Sequence, residues 1–156
     1  MKSRSPLVAV LALTGLCFAH GAQAQEYIVT TSVEGSFNEV KDNIKNAIVG
    51  RGLNIANELH ASDMLNRTGP DLGFPDAIYT HAETVEFCSA SISHKLVQAN
   101  LHNVVLCPFG ISIYELVAEP QTIYLSYRRP LADSDSAEAA QEVEDLIQGI
   151  IQDASW

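Results

Sequence analysis

The sequence lacks the surplus of positive charge that nucleic-acid and membrane-surface partners require. Its 156 residues include only 9 lysines and arginines against 19 aspartates and glutamates, which gives a formal net charge of −10. A strongly acidic protein repels phosphate backbones and anionic lipid. We therefore expect no nucleic-acid partner.

The motifs that identify common enzyme chemistries are also absent. The chain contains no nucleophile elbow, no phosphate-binding loop and no Cys-x-x-Cys, His-x-x-x-His or Cys-x-x-Cys-His spacing. Glu83 and Glu86 fall on opposite faces of a predicted strand, so they do not form an acid–base pair. The sequence has no internal repeat and no low-complexity tract, and it leaves open whether the protein is an enzyme.

The apolar run near the N-terminus is too short to cross a bilayer. It extends from Leu7 to Ala19, whereas a spanning helix needs roughly 20 residues. Two basic residues precede the run, and small residues at the positions that signal peptidase inspects lead up to Ala24. We predict a bacterial signal peptide over residues 1–24, cleaved after Ala24, with an uncleaved membrane anchor as the alternative. Residues 25–156 would then form one periplasmic or secreted domain with no stable membrane insertion.

Hydrophobic periodicity predicts alternating strands and helices along that domain. Ser36 and Glu39 form a capping box at the start of the first helix, and Gly50-Arg51-Gly52 ends it. The pattern predicts an α+β fold, with a largely antiparallel five-stranded sheet and helices packed on one face. The expected strands cover residues 26–32, 53–59, 79–87, 104–117 and 122–128, and the later helices begin near Ser62, Ser89 or Ser91, and Asp135.

Cys88 and Cys107 are the only cysteines that follow the predicted signal peptide. One interpretation is a structural disulfide, which is common in the oxidising periplasm. Antiparallel neighbouring strands would bring the two thiols together, whereas a parallel crossover would separate them. The alternation of side chains along a strand argues against the bridge. Cys88 follows Phe87, which is expected to face inward, so Cys88 would face outward. Cys107 would instead share the face of Phe109.

Two other interpretations of the pair remain open. Cys88 would lie at a helix N-terminus, where the helix dipole favours the thiolate. With Cys107 nearby, the pair would act as a redox site, or it would bind Cu(I), zinc or an axial position of haem. In the last interpretation both cysteines are buried and inert.

Two histidines are possible accessory residues of this site. His94 lies about 200° round its helix from buried Ile92, so we expect it on the surface or at a dimer face. His81 has the strand parity of Val85 and Phe87, which would direct it toward the core. Neither identifies a metal. Tyr114, Tyr124 and Tyr127 on the late strands are candidates to line a shallow apolar pocket, and ordinary sheet packing explains them equally well.

Several segments resemble the bacterial domain-of-unknown-function 302 family. They are Phe87-Cys88-Ser89-Ala90, His94-Lys95-Leu96, Leu106-Cys107-Pro108-Phe109 and Leu125-Ser126-Tyr127-Arg128. The resemblance covers about residues 36–130, although many relatives have Asn-Pro where this chain has Ser89-Ala90. It implies a compact, TATA-binding-protein-like fold that is often dimeric, hence a homodimer. No activity is established for the family as a whole.

These observations lead to three functional hypotheses. The first is a non-catalytic periplasmic module, centred on Cys88 and Cys107, that binds a small ligand, metal or haem or senses thiol redox state. The second is a thiol-dependent redox enzyme or accessory factor that uses Cys88. The third is a structural partner-binding module in which a disulfide joins the pair.

Overall fold

The structure is a computed structural model that describes residues 27–131 and 133–155. The predicted signal peptide lies outside these residues. None of the described helices combines the length and apolar character that crossing a bilayer requires. The strands are β1 (Ile28–Glu34), β2 (Asn54–His60), β3 (Tyr79–Cys88), β4 (Phe109–Leu116) and β5 (Thr122–Arg128), and the α-helices are α1 (Phe37–Gly50), α2 (Ala61–Thr68), α3 (Ala90–Ala99) and α4 (Ala137–Ala154).

The five strands form one antiparallel sheet in the order β1-β5-β4-β3-β2. The predicted α+β class and five-stranded antiparallel sheet are therefore confirmed. The β4–β5 pairing is the shortest of the interior ladders and runs from Ser112–Ser126 to Glu115–Ile123. β5 remains paired with β1 beyond that point, as far as Arg128 opposite Ile28.

Three helices, α1, α3 and α4, cover one face of the sheet and enclose the core. Alternate strand residues point into it because side chains of a strand alternate between faces. Each large apolar side chain buried there contributes about 1.5–3 kcal/mol relative to an exposed one. Members of the core with almost no exposure include Val85, Phe87, Ile111, Ile113, Ile123 and Leu125 of the sheet, and Ile44, Ile48, Leu96, Val143, Ile147 and Ile150 of the helices.

The predicted limits of α1 agree with the structure. The Ser36 hydroxyl accepts a hydrogen bond from the Glu39 backbone N–H at 3.4 Å, which satisfies one of the free amides at the helix start. After the helix ends, Gly52 has a φ of +74°. Glycine adopts this left-handed conformation without the steric cost that a Cβ brings.

The predicted fourth strand begins five residues too early. Leu101–Leu106 forms a 3-10 helix instead, and β4 begins only at Phe109. The Asn103 side-chain amide donates to the Leu96 carbonyl oxygen at 3.0 Å and so fixes this segment against the end of α3. Two of the apolar residues that suggested a strand here lie outside the core, since Val104 is 62% and Val105 80% exposed.

The short helix α2 departs from the prediction that helices share one face. Ser62, predicted to cap it, instead lies inside α2 and donates from its hydroxyl to the Ala82 carbonyl oxygen at 3.5 Å. This contact holds α2 against β3, on the opposite side of the sheet from the other helices. Asp135, expected near the start of α4, lies in a 3-10 turn over Ser134–Ser136 that precedes the helix, and Asp133 caps this turn by accepting from the Ser136 backbone N–H at 3.0 Å.

A β-bulge in β2 changes which of its residues face the core. Ile55 lies opposite buried Phe87, but the register shifts before Asn57, and Leu59 then lies opposite Thr84. A bulge inserts one residue and reverses the alternation that follows. Leu59, which would share a face with Ile55 in a regular strand, is consequently 55% exposed on the face away from the core.

Candidate functional site

A disulfide joins Cys88 to Cys107, with the two Cα atoms 6.1 Å apart. β3 and β4 are antiparallel neighbours and Phe87 pairs with Phe109, so the end of β3 meets the start of β4. The parity argument against the bridge fails because Cys107 precedes β4 and does not follow its alternation. The disulfide interpretation is the one that the structure shows.

As a disulfide, the pair offers neither a thiolate nucleophile nor a thiolate metal ligand. The interpretation as buried, inert cysteines is wrong, since both residues are half-buried and bonded to each other. Within the described ranges, no three histidine, cysteine, aspartate or glutamate residues gather into a group that would hold a metal ion. A resting metal or haem site at the pair therefore has no support in this arrangement.

The structure does not bring His81 to the cysteines. His81 lies seven residues before Cys88 on β3, about 23 Å away at the rise of a strand. Its ring is exposed and stacks on Phe37, with ring centroids 4.6 Å apart. The predicted approach of His81 to the core is therefore limited to this contact with a residue at the margin of the core. His94 is exposed on α3, as predicted.

The face of the sheet opposite the core carries a groove of about 460 Å³, within the size range of small-molecule sites. We call it the open-face groove. Its floor is formed by β3, β4 and β5, and α2 rises along one side. Residues that define it are Leu59, Leu65, Thr84, Ser112, Ser126 and Arg128.

Hydroxyl groups run across the floor of the groove. Thr84 and Ser112 are hydrogen-bonded at 2.8 Å between their side-chain oxygens, and Thr30 and Ser126 at 2.8 Å. The Tyr114 hydroxyl lies 3.1 Å from the Ser126 hydroxyl. Each hydroxyl has one proton and two lone pairs, so this pairing leaves capacity to accept hydrogen bonds from a bound molecule.

The remaining surface of the groove is mainly apolar and aromatic. Leu59 and Leu65 form its side on β2 and α2. The Tyr79 ring meets the Tyr114 ring edge to face, with centroids 5.8 Å apart, and Tyr114 stacks on Tyr124 at 5.2 Å. The Tyr124 hydroxyl donates to Glu119, which raises the pKa of Tyr124 and keeps its ring in place.

Sequence reasoning found part of this groove. Tyr114 lines it, as predicted, whereas Tyr124 does not line it and only stacks on Tyr114. Tyr127 also lines the groove, but it is a buried residue whose hydroxyl donates to Glu144 of α4 at 3.2 Å, on the core side of the sheet. The floor hydroxyls were missed. A serine or threonine inside each of three strands was the available signal, but it takes the strand order to place them side by side.

The groove and the disulfide are neighbouring features. Cys88 continues the alternation of Thr84 and Glu86 along β3 and so belongs to the face that carries the groove. Glu86 pairs with Gly110, and both line the groove one residue pair before Phe87 and Phe109. The disulfide thus links β3 to the segment that enters β4, two of the three strands of the groove floor, at this end of the sheet.

Comparison with known proteins gives the family of the chain. The family model described as "Domain of unknown function DUF302" matches residues 29–154. The chain therefore belongs to the DUF302 family, as the resemblance predicted, and the match extends beyond residues 36–130.

A solved structure supports the fold. The crystal structure of the uncharacterized conserved protein DUF302 from Bacillus stearothermophilus is similar to this chain with a TM-score of 0.68 and 15% sequence identity. The similarity covers 83% of this chain and 99% of the Bacillus chain. No curated protein matches the sequence.

Proposed function

We propose that this protein is an exported, non-catalytic domain that binds a small, partly apolar molecule in the open-face groove. The observation that carries the proposal is the groove itself: about 460 Å³, an apolar side and a hydroxyl-lined floor. Pockets of this size with a few placed polar groups are typical of small-molecule sites. The hydroxyls bond to one another, which supports binding rather than nucleophilic catalysis by an activated serine.

In this proposal, the disulfide between the two cysteines fixes one end of the groove. The disulfide connects the last residue of β3 to the segment that enters β4. Since β3 and β4 supply Thr84 and Ser112 of the floor, the bond holds those two strands in register. Cys88 and Cys107 then act by positioning the binding surface.

A neutral apolar dye tests the proposal. The wild-type protein should bind N-phenyl-1-naphthylamine with enhanced fluorescence, and Ser112→Leu should weaken the binding at least about tenfold because leucine fills the floor. Ser32→Leu is the matched control, since Ser32 lies opposite Tyr124 on the same face of the sheet but outside the groove. Equal binding by wild type and Ser112→Leu would contradict the proposal.

Export is part of the same proposal, and it is supported by the signal-peptide pattern and by a disulfide, which persists in oxidising compartments. N-terminal sequencing of protein recovered from a bacterial periplasmic fraction should begin at Gln25. An intact Met1 in membrane fractions would favour the uncleaved anchor.

Thiol-redox sensing is a second candidate, favoured by the partial exposure of both cysteines beside the groove. Reduction would release β3 from β4 at that end and yield the thiols that soft-metal, haem or enzymatic chemistry requires. The dye affinity should then differ at least about fivefold between oxidised and dithiothreitol-reduced protein. Identical affinities would assign the disulfide a structural role alone.

We also propose that the protein is a homodimer. The family resemblance supports this, and so does a cluster of exposed apolar side chains after α2, namely Leu72, Phe74 and Ile78. Sedimentation equilibrium should give a dimer for the wild type and a monomer for Phe74→Asp. Leu131→Asp, at another exposed apolar position, should remain dimeric.

A further inference from the structure

The described basic residues are nearly all engaged by carboxylates, and Arg128 is an exception. Of the seven lysines and arginines in residues 27–131 and 133–155, five form ion pairs. No carboxylate of the described residues lies within 4.0 Å of the guanidinium groups of Arg128 or Arg67. The paired residues, with their partners, are Lys41 (Glu83), Lys45 (Glu58), Arg51 (Asp153), Lys95 (Glu142) and Arg129 (Glu144).

Arg128 differs from Arg67 in its position. It is the last residue of β5, it shares the face of Ser126, and it lines the open-face groove. Arg67 lies on α2 and does not line that groove. In a chain with a net charge of −10, a guanidinium without a carboxylate partner at a groove is a positive site available to a ligand. Its planar donors match a carboxylate in a bidentate arrangement.

The floor next to Arg128 is open. Gly110 lines the same part of the groove, and a Cβ at that position would come within 3.3 Å of the Thr84 methyl carbon. The absence of a side chain there keeps the space between β5 and β3 free. Glu86 lies on the β3 side, where its carboxylate accepts from the Asn57 side-chain amide at 3.1 Å.

We propose that the ligand of the open-face groove is a small carboxylate with an apolar or aromatic body. The carboxylate binds Arg128 at the end of β5, and the body lies over Gly110 and Ser112 toward Leu65. This inference rests on the proposed function, because it specifies the chemistry of the molecule that the groove binds.

A pair of probes that differ only in charge tests the inference. We would titrate 3-phenylpropionate and its uncharged amide, 3-phenylpropionamide, into 15N-labelled protein at pH 7 and follow the amide resonances of Ser112 and Ser126. The wild type should bind the carboxylate about tenfold more tightly, as a charge-assisted hydrogen bond predicts. Arg128→Gln should bind both probes equally. Arg67→Gln is the matched control and should retain the tenfold preference.

The outcomes separate this inference from the proposed function. If the wild type binds both probes equally at the groove, the carboxylate assignment is overturned and the groove function stands. If neither probe shifts the groove resonances, both fail. If Arg67→Gln abolishes the preference as Arg128→Gln does, the effect comes from overall charge, and Arg128 is not the recognition residue. Retained dispersion of the spectrum verifies that each variant is folded.

Discussion

The two faces of one sheet differ in almost every property. Toward the helices, β3, β4 and β5 present large aliphatic and aromatic side chains with nearly zero exposure. On the other side the same strands present hydroxyls, tyrosines and charged groups around a groove. Because neighbouring residues of a strand face opposite ways, adjacent positions serve stability and binding separately. The contrast predicts that substitutions one residue apart will have very different consequences.

The largest difference is expected between two leucines, one on each face. Leu125 is 1% exposed in the core and Leu59 is 55% exposed beside the groove. Leu125→Ala should lower the free energy of unfolding by about 3–4 kcal/mol, because it removes buried surface and leaves a cavity. Leu59→Ala should cost less than about 1 kcal/mol. Urea unfolding followed by circular dichroism measures both, and similar losses would refute the division between the faces.

Loss of the disulfide should lower the free energy of unfolding by nearly as much as Leu125→Ala does. Cys88 and Cys107 are 19 residues apart, and closing a loop of that length in the unfolded chain is worth about 3 kcal/mol. The double variant Cys88→Ser/Cys107→Ser should therefore unfold at lower urea concentration than the oxidised wild type, and dithiothreitol should change only the wild type. A double variant as stable as the oxidised protein would contradict the estimate.

Removing the Tyr127 hydroxyl, a polar group on the apolar face, should lower the free energy of unfolding by less. Tyr127 donates to Glu144 at 3.2 Å and accepts from the Gln148 side-chain amide at 3.0 Å. Tyr127→Phe should cost about 1 kcal/mol, the usual net value of a hydrogen bond. Urea unfolding at pH 7 measures this loss.

The same residue predicts an alkaline dependence. Burial raises the pKa of Tyr127 above its ordinary value, because the phenolate is disfavoured in the folded protein. Its contribution to the free energy of unfolding is complete below a pH of about 10 and is lost as the pH rises through the raised pKa. Tyr127→Phe should show a shallower loss of stability in that range. An unchanged alkaline slope would rule out this assignment.

The smallest effect is expected at the junction that leads into α4, away from both faces. Asp133 accepts hydrogen bonds from the Asn100 side-chain amide at 2.9 Å and from the Ser136 backbone N–H, and these bonds lower its pKa. A carboxylate with a lowered pKa stabilises above its ordinary pKa and loses that effect as the pH falls through the lowered one. Asp133→Asn should reduce the acid dependence of unfolding. An acid dependence as steep as that of the wild type would contradict this assignment.

Sequence patterns were most informative where local chemistry determines structure. The α1 cap at Ser36, the stop at Gly52 and the full extent of β5 were predicted correctly, since caps, glycines and alternation act over a few residues. The pattern failed for the apolar residues near Val105, which read as a strand but form an exposed 3-10 helix. Their side chains fit either structure, and the side-chain amide of Asn103 selects the helical one.

By itself, the sequence determined the fold class, the family and the presence of two cysteines beyond an expected signal peptide. Only the tertiary structure decided that these cysteines are bonded and that a groove lies beside them. The disulfide depends on the antiparallel pairing of β3 with β4, and the groove depends in addition on the bulge after Ile55 that places Leu59 on its face. Such contacts follow from how whole elements pack, so no local pattern encodes them.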